Sequence, residues 1–332
     1  MFESPWWLPG PHFQTLWQPF MRKLPVIQVR RERIPTPDGD FLDLDWYAEQ
    51  HRPLVILLHG LTGSTRSPYI VGMQSALAMK GYRTLAMNFR GCGGSPNQTW
   101  KAYHSGDTHD FRHLIHWIRS NEPDIKLSAV GFSLGGNVLL KYVGEEESQS
   151  GIEAAVSVSA PIKLAACATR LDSGISRLYR NQLIKELKEY LIVKSQHLRS
   201  IGHHDDAERL DQLGPLDSVS SFWEYDDRVV AQLYGFKDAS DYYDQSSSFG
   251  YLRAIKSPTL IIQSLDDPFL TPDVLPRANE HSPHIRIQAS CGGGHVGFIQ
   301  GQAPWKPSYW LEGVVSEFLD QQGQRVSSLK AP

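Results

Sequence analysis

Hydrophobic and polar positions along this chain change period several times, and each change marks an element. In RRERIPTPDGDFLDLDWY, Leu42, Leu44 and Trp46 alternate with aspartates beyond Pro37-Asp38-Gly39, the signature of a β-hairpin with one face in water. PLVILLHG is apolar throughout and ends in His-Gly, as expected of a strand buried on both faces of a parallel sheet. Strand-like and helix-like text then take turns. A helix through Met73 to Lys80 precedes the strand YRTLAMNF, a helix from Thr108 to Arg119 precedes IKLSAVGF, and a helix from Gly135 to Val143 precedes IEAAVSVSA. The series stops at Pro161, resumes at Ser257 with SPTLIIQSLDD and HIRIQAS, and closes on a helix around WLEGVVSEFLD. Such alternation implies parallel β-α-β units.

The interruption is too long for a structureless loop in a compact domain, and RLYRNQLIKELKEYLIV and SSFWEYDDRVVAQLYGF read as helices. The expected organisation is an aromatic, proline-rich arm (1–25), an α/β core (26–160 and 257–325) and a helical lid (161–256). No period repeats.

Composition narrows the function classes. With 332 residues, 41% hydrophobic and 21% charged, the chain has the profile of a globular protein with ample core. A net charge of −3 with interspersed signs leaves no basic face for a run of phosphates, which argues against nucleic acid. Cys92, Cys167 and Cys291 are too widely spaced for a disulfide framework or a metal knuckle and favour a reducing compartment. The first twenty residues lack a basic segment followed by an apolar run, and no apolar stretch reaches the roughly 20 residues of a membrane span, so a cytoplasmic protein is expected. The arm aromatics Trp6, Trp7, Phe13, Trp17 and Phe20 are expected to pack across the lid or sheet; contact with a membrane surface is the alternative.

The chemistry concentrates at three places. IKLSAVGF runs into Gly131-Phe132-Ser133-Leu134-Gly135-Gly136 and a helix, which is G-x-S-x-G in a strand-turn-helix context. A serine on so tight a turn needs small neighbours, and the helix N-terminus behind it favours a developing oxyanion. After HIRIQAS, three glycines precede His295, giving a loop able to aim an imidazole at Ser133 as its base. After SPTLIIQS, Asp266 and Asp267 compete for the role of the acid, and only one of two successive side chains can face His295. The backbone N–H groups of Leu134 and, in His59-Gly60-Leu61-Thr62-Gly63, of Leu61 are the candidate oxyanion donors. His59 itself is expected to hydrogen-bond within that loop.

These residues together resemble the α/β-hydrolase superfamily, and more narrowly its YheT-like branch. The resemblance spans nearly the whole chain, through Pro11-His12-Phe13-Gln14-Thr15, HGLTGS, NFRGCGGS, Tyr103-His104-Ser105-Gly106-Asp107, GFSLGGN, Phe222 through Phe236, Asp241-Tyr242-Tyr243, LDDPF and GGGHVGF. It implies a mostly parallel sheet flanked by helices and a carboxylic-ester hydrolase without metal or cofactor. Its relatives take short acyl esters, and some take glycerolipids, so a small-molecule or lipid ester is the expected partner. It also implies triad roles for Ser133, Asp267 and His295; the Asp267-Pro268 pair looks like the family's acid loop, leaving Asp266 to cap or hinge the loop. The run Gly292-Gly293-Gly294 departs from relatives that often carry a histidine there.

Other signals are weaker. His109 and His113 share a helix face at zinc-binding spacing, but no third ligand is evident and a solvated face is expected. His203-His204-Asp205-Asp206 is read the same way, and Gly91 to Pro96 lacks the last glycine of a dinucleotide loop. A non-enzymatic binding protein of the same fold is the competing class, against which the full set of nucleophile, acid, base and oxyanion loop argues. In the lid, Leu178, Tyr179, Phe222, Trp223 and Tyr234 either wall an acyl pocket or pack the lid on the core; their helical spacing suits both.

Overall fold

The computed structural model describes residues 2–48 and 52–329. Its sheet is built from β1 (Arg30–Pro35), β2 (Phe41–Tyr47), β3 (Leu54–Leu58), β4 (Arg83–Met87), β5 (Leu127–Phe132), β6 (Ala154–Val158), β7 (Thr259–Ser264) and β8 (Ile285–Ser290). The strand order is β1-β2-β4-β3-β5-β6-β7-β8, antiparallel at β1/β2 and β2/β4 and parallel from there on. The chain steps from β3 outward to β4 and then back across β3 to β5, so the loops after β3 and β5 flank a reversal of strand order. In open α/β sheets that crevice is where ligands bind.

Both faces of the sheet are covered, which is why β3 is apolar at every position. Leu54, Ile56 and Leu58 pack with Phe111, Leu114 and Ile118 of α3 (His109–Asn121) and Leu139 and Val143 of α4 (Leu134–Glu146). Val55 and Leu57 face Ile70, Met73 and Leu77 of α2 (Pro68–Met79) and Leu311, Val315 and Phe318 of α11 (Trp310–Leu329). No helix among the described residues is long and apolar enough to cross a membrane.

The β1–β2 hairpin corrects one expectation. On β2 its polar face is not in water: Asp43 and Asp45 are 3% and 2% exposed. They stand directly across from Arg33 and Arg31, whose guanidinium groups reach them at 2.8 and 2.6 Å. The alternating aspartates are thus cross-strand partners, neutralised by charges on the neighbouring strand.

Between β6 and β7 lie α5 (Leu164–Leu171), α6 (Ser176–Ser200), α7 (His204–Asp211), α8 (Phe222–Tyr225), a π-helical turn (Asp226–Ala231), α9 (Gln232–Tyr234) and α10 (Ala239–Ser246). This helical insertion has its own apolar cluster, including Leu171, Leu191, Leu198, Leu210 and Tyr242. Asn137 of α4 ties it down: Nδ2 donates to Ser105 O (2.8 Å) and Ser246 O (2.9 Å), and Oδ1 accepts from Ser248 N (3.0 Å).

A hairpin and a helix were not foreseen. Ile299–Ala303 and Lys306–Tyr309 form a separate hairpin, β9 and β10, whose mixed polar text carries no clear alternation. The arm contains a helix, α1 (Pro11–Met21), which lies on the segment after β8. Gln14 exchanges two hydrogen bonds with the backbone of Ile299, and Gln18 Nε2 donates to Val296 O at 2.7 Å.

Candidate active site

Ser133 sits between β5 and α4 with φ 52° and ψ −122°, a conformation that costs a non-glycine residue on the order of 1–3 kcal/mol. The turn is held by Ser133 N–H donating to Val158 O at 2.8 Å. It is also packed too closely for larger neighbours. A Cβ on Gly135 would lie 2.6 Å from Leu58 O, and one on Gly131 would run into Gly135 O. The strained turn leaves Oγ projecting over the ends of the strands.

His295 Nε2 lies 2.9 Å from Ser133 Oγ, and its Nδ1 faces Asp267 Oδ2 at 2.9 Å and Oδ1 at 3.1 Å. With Nδ1–H donating to the carboxylate, Nε2 is left as the acceptor for the serine proton. Asp267, whose side chain has no exposed surface, is further held by Phe269 N–H at 2.8 Å. Asp266 turns away. Its Oδ1 accepts from Gly294 N at 2.9 Å and from Ser264 Oγ, bracing the glycine run before His295.

The loop after β3 is pinned on both sides of Leu61. Gly60 N–H donates to Tyr69 Oη (2.9 Å) and Thr62 N–H to Tyr103 Oη (2.9 Å). Neither Leu61 N–H nor Leu134 N–H has an acceptor among the described residues. His59 beneath is fully buried, with Nδ1 2.7 Å from Gly60 O and Nε2 accepting from Phe89 N–H at 3.1 Å. Burial pushes its pKa down to about 4, the Gly60 contact opposing, so the ring is neutral and serves the loop.

Several contributors were not singled out from the text. The Phe269 ring stacks on His295, centroids 4.1 Å apart and planes 9° from parallel. Thr15 Oγ1 accepts from His295 N–H at 2.9 Å, so the arm holds the backbone of the imidazole residue. Ser159 Oγ accepts from Val296 N–H at 3.1 Å. The Thr15 and Ser159 contacts join residues far apart in sequence and leave no local signal.

Ser133, His295, Leu61 and Leu134 open on one cavity of about 440 Å³. Of the five insertion side chains considered as its wall, Phe222 lines it, while Tyr234 lines a smaller neighbouring cavity. Leu178 is 68% exposed, Tyr179 packs between His12 and Phe269, and Trp223 packs on Tyr243. Helical spacing could not say which face was inward: Leu164, Ala168 and Leu171 of α5 form the wall instead. In the arm, Trp17 is buried against Trp7, whereas Trp6, Phe13 and Phe20 stay exposed. His109 and His113 do not converge; one faces Asp107 and the other Pro35 O.

A mostly parallel sheet with a serine elbow after β5, an acid loop after β7 and a histidine loop after β8 defines the α/β hydrolases. The chain belongs to that family, the alpha/beta hydrolase fold, whose sequence model matches residues 53–302. Within it the chain is YheT-like: it is 36% identical over 312 residues to YheT of Escherichia coli, covering 93% of this chain and 89% of YheT. It is 29% identical over 329 residues to the phospholipase ABHD3 of Bos taurus, covering 95% and 78% of the two. The Pyrococcus furiosus esterase Pf2001 has the same fold, with TM-score 0.55 and 21% identity over 89% of this chain and 93% of that one.

Proposed function

We propose that this carboxylic ester hydrolase works through Ser133 as nucleophile, His295 as base and Asp267 as the acid that orients it. The observation that carries the reading is the unbroken line from Ser133 Oγ to His295 to buried Asp267 at the cavity. Ser133 Oγ attacks the ester carbonyl as its proton passes to Nε2. The tetrahedral oxyanion forms beside the N–H groups of Leu61 and Leu134, whose lack of protein acceptors supports that role. The intermediate collapses to an acyl-enzyme as the imidazolium returns the proton to the departing alcohol. Water, deprotonated by the same imidazole, then releases the acid.

A largely apolar cavity of about 440 Å³ supports a short- to medium-chain acyl ester or an acylglycerol as substrate. Residues 161–256 act as the lid, since α5 and Phe222 supply the wall opposite the elbow. Free thiols at Cys92, Cys167 and Cys291 support a reducing compartment, in keeping with the cytoplasm. The test is Ser133→Ala: p-nitrophenyl butyrate turnover should fall by a factor on the order of 10⁶ and fluorophosphonate labelling should vanish, with the circular dichroism spectrum retained. Near-normal turnover in that variant refutes the assignment.

A further inference from the structure

The insertion brings two carboxylates to the cavity, half-buried Glu186, which accepts from Gln182 Nε2 at 2.7 Å, and buried Asp226. Asp226, 9% exposed, is the first residue of the π-helical turn and lines both the main cavity and the smaller one, of about 70 Å³, walled by Tyr190, Tyr234 and Tyr242. Its Oδ2 accepts from Tyr243 Oη at 2.7 Å, and no described residue donates to Oδ1. Buried Asp40 shows what a structural carboxylate collects in this same protein: Phe41 N, Asn97 Nδ2, Gln98 N, Thr99 Oγ1 and Arg90 Nη1 all donate to it. A role confined to holding Tyr243 does not account for a buried carboxylate whose Oδ1 takes no donor from the described residues beside Leu164, Ala168, Leu171, Leu183 and Phe222. A π-turn interrupts the helix at this residue, a distortion frequent at functional sites. The Cys167 thiol, on the same wall, is pushed up by burial and by the fields of Asp267 and Asp226.

We propose that Asp226, positioned by Tyr243, is a specificity residue that recognises a hydroxyl group of the ester substrate through Oδ1. The inference rests on the reading of Ser133 as nucleophile and names the kind of ester that site prefers. A hydroxyl suits this carboxyl better than a cation does. Burial pushes it up to about 7 against the Tyr243 hydrogen bond, so near neutrality it both accepts and donates, as a hydroxyl does.

The experiment measures kcat/KM for two isosteric pairs: hydroxyethyl butyrate against propyl butyrate, and the methyl ester of β-hydroxybutyrate against that of isovalerate. The first pair places the hydroxyl on the alcohol, the second on the acyl chain. The ratio within a pair cancels the titration of the triad. Wild type should favour the hydroxyl member of at least one pair, and Asp226→Leu should reduce that preference by about 10- to 100-fold. Asp226→Asn should keep most of it, and Tyr243→Phe should lose part. Ratios that are equal in wild type and Asp226→Leu for both pairs, or a wild type that prefers neither hydroxyl ester, overturn the proposal. Fluorophosphonate labelling separates the failures: a wild type that is not labelled fails the triad reading, whereas a labelled one with flat ratios fails only this inference. Should Asp226→Leu not be labelled, the ratios of Tyr243→Phe and Asp226→Asn decide, and unchanged ratios in both overturn it.

Discussion

Neutral His59 makes the stability of this enzyme sensitive to mild acid. In the folded chain the ring accepts from Phe89 N–H at one nitrogen and meets Gly60 O at the other, so a second ring proton would oppose the Phe89 donor. Its pKa is held at about 4, against an ordinary value of about 6.5 in the unfolded chain. Above pH 6.5 neither state binds a proton there and the full stability is present. As pH falls, the unfolded chain takes up the proton first, so stability is lost between about 6.5 and 4 and levels off below. That difference in pKa corresponds to about 3 kcal/mol at full development. Urea unfolding of wild type and His59→Gln at steps from pH 7.5 to pH 4 isolates the contribution, since both share every other titrating group. The wild-type advantage should shrink by about 3 kcal/mol across the window. Parallel stability curves for the two proteins would refute the reasoning, because they would mean that the folded chain protonates His59 as easily as the unfolded one.

Asp267→Asn should lower kcat by about 10⁴ on p-nitrophenyl butyrate, because the amide cannot hold the imidazole in the required tautomer, whereas Asp266→Asn should be far milder. The reverse ranking would move the acid role to Asp266. Arg90 is buried among Asp38, Asp40 and Asp110, so Arg90→Met should cost about 3–5 kcal/mol in urea unfolding by leaving buried Asp40 and Asp110 without a cationic partner, while Asp38 keeps Lys101. Thr15→Val removes the acceptor of His295 N–H, worth about 1 kcal/mol; kcat should fall severalfold with KM little changed, which steady-state kinetics will show.

How much of this could be read from the text depends on how local each signal is. Central strands announce themselves because a strand covered on both faces must be apolar at every position, as Leu54 to Leu58 are. The elbow is equally local: glycine spacing, a strand before and a helix after lie within a dozen residues. Asp43 and Asp45 misled because their arginines stand on the adjacent strand, so neutralisation is invisible along the sequence. Helical spacing leaves Leu178, Tyr179, Phe222, Trp223 and Tyr234 open between pocket wall and lid packing, because it fixes that a face exists but not where it points. Asp226 sits in the charged run Glu224 to Arg228, where nothing distinguishes it from a solvated residue. Its meaning comes only from Tyr243 and the cavity beside it.

The clasp between α1 and the histidine loop has a consequence for how the enzyme comes into being on the ribosome. Thr15 and His295 are separated by 280 positions, so α1 must wait for the loop after β8 to be made before this contact exists. Residues up to Ser264 can lay down most of the sheet while the nascent chain still lacks His295, and on the proposed triad an elbow without that imidazole cannot attack an ester. On the proposed triad, hydrolytic competence therefore waits for the loop after β8, however much of the sheet has folded before it.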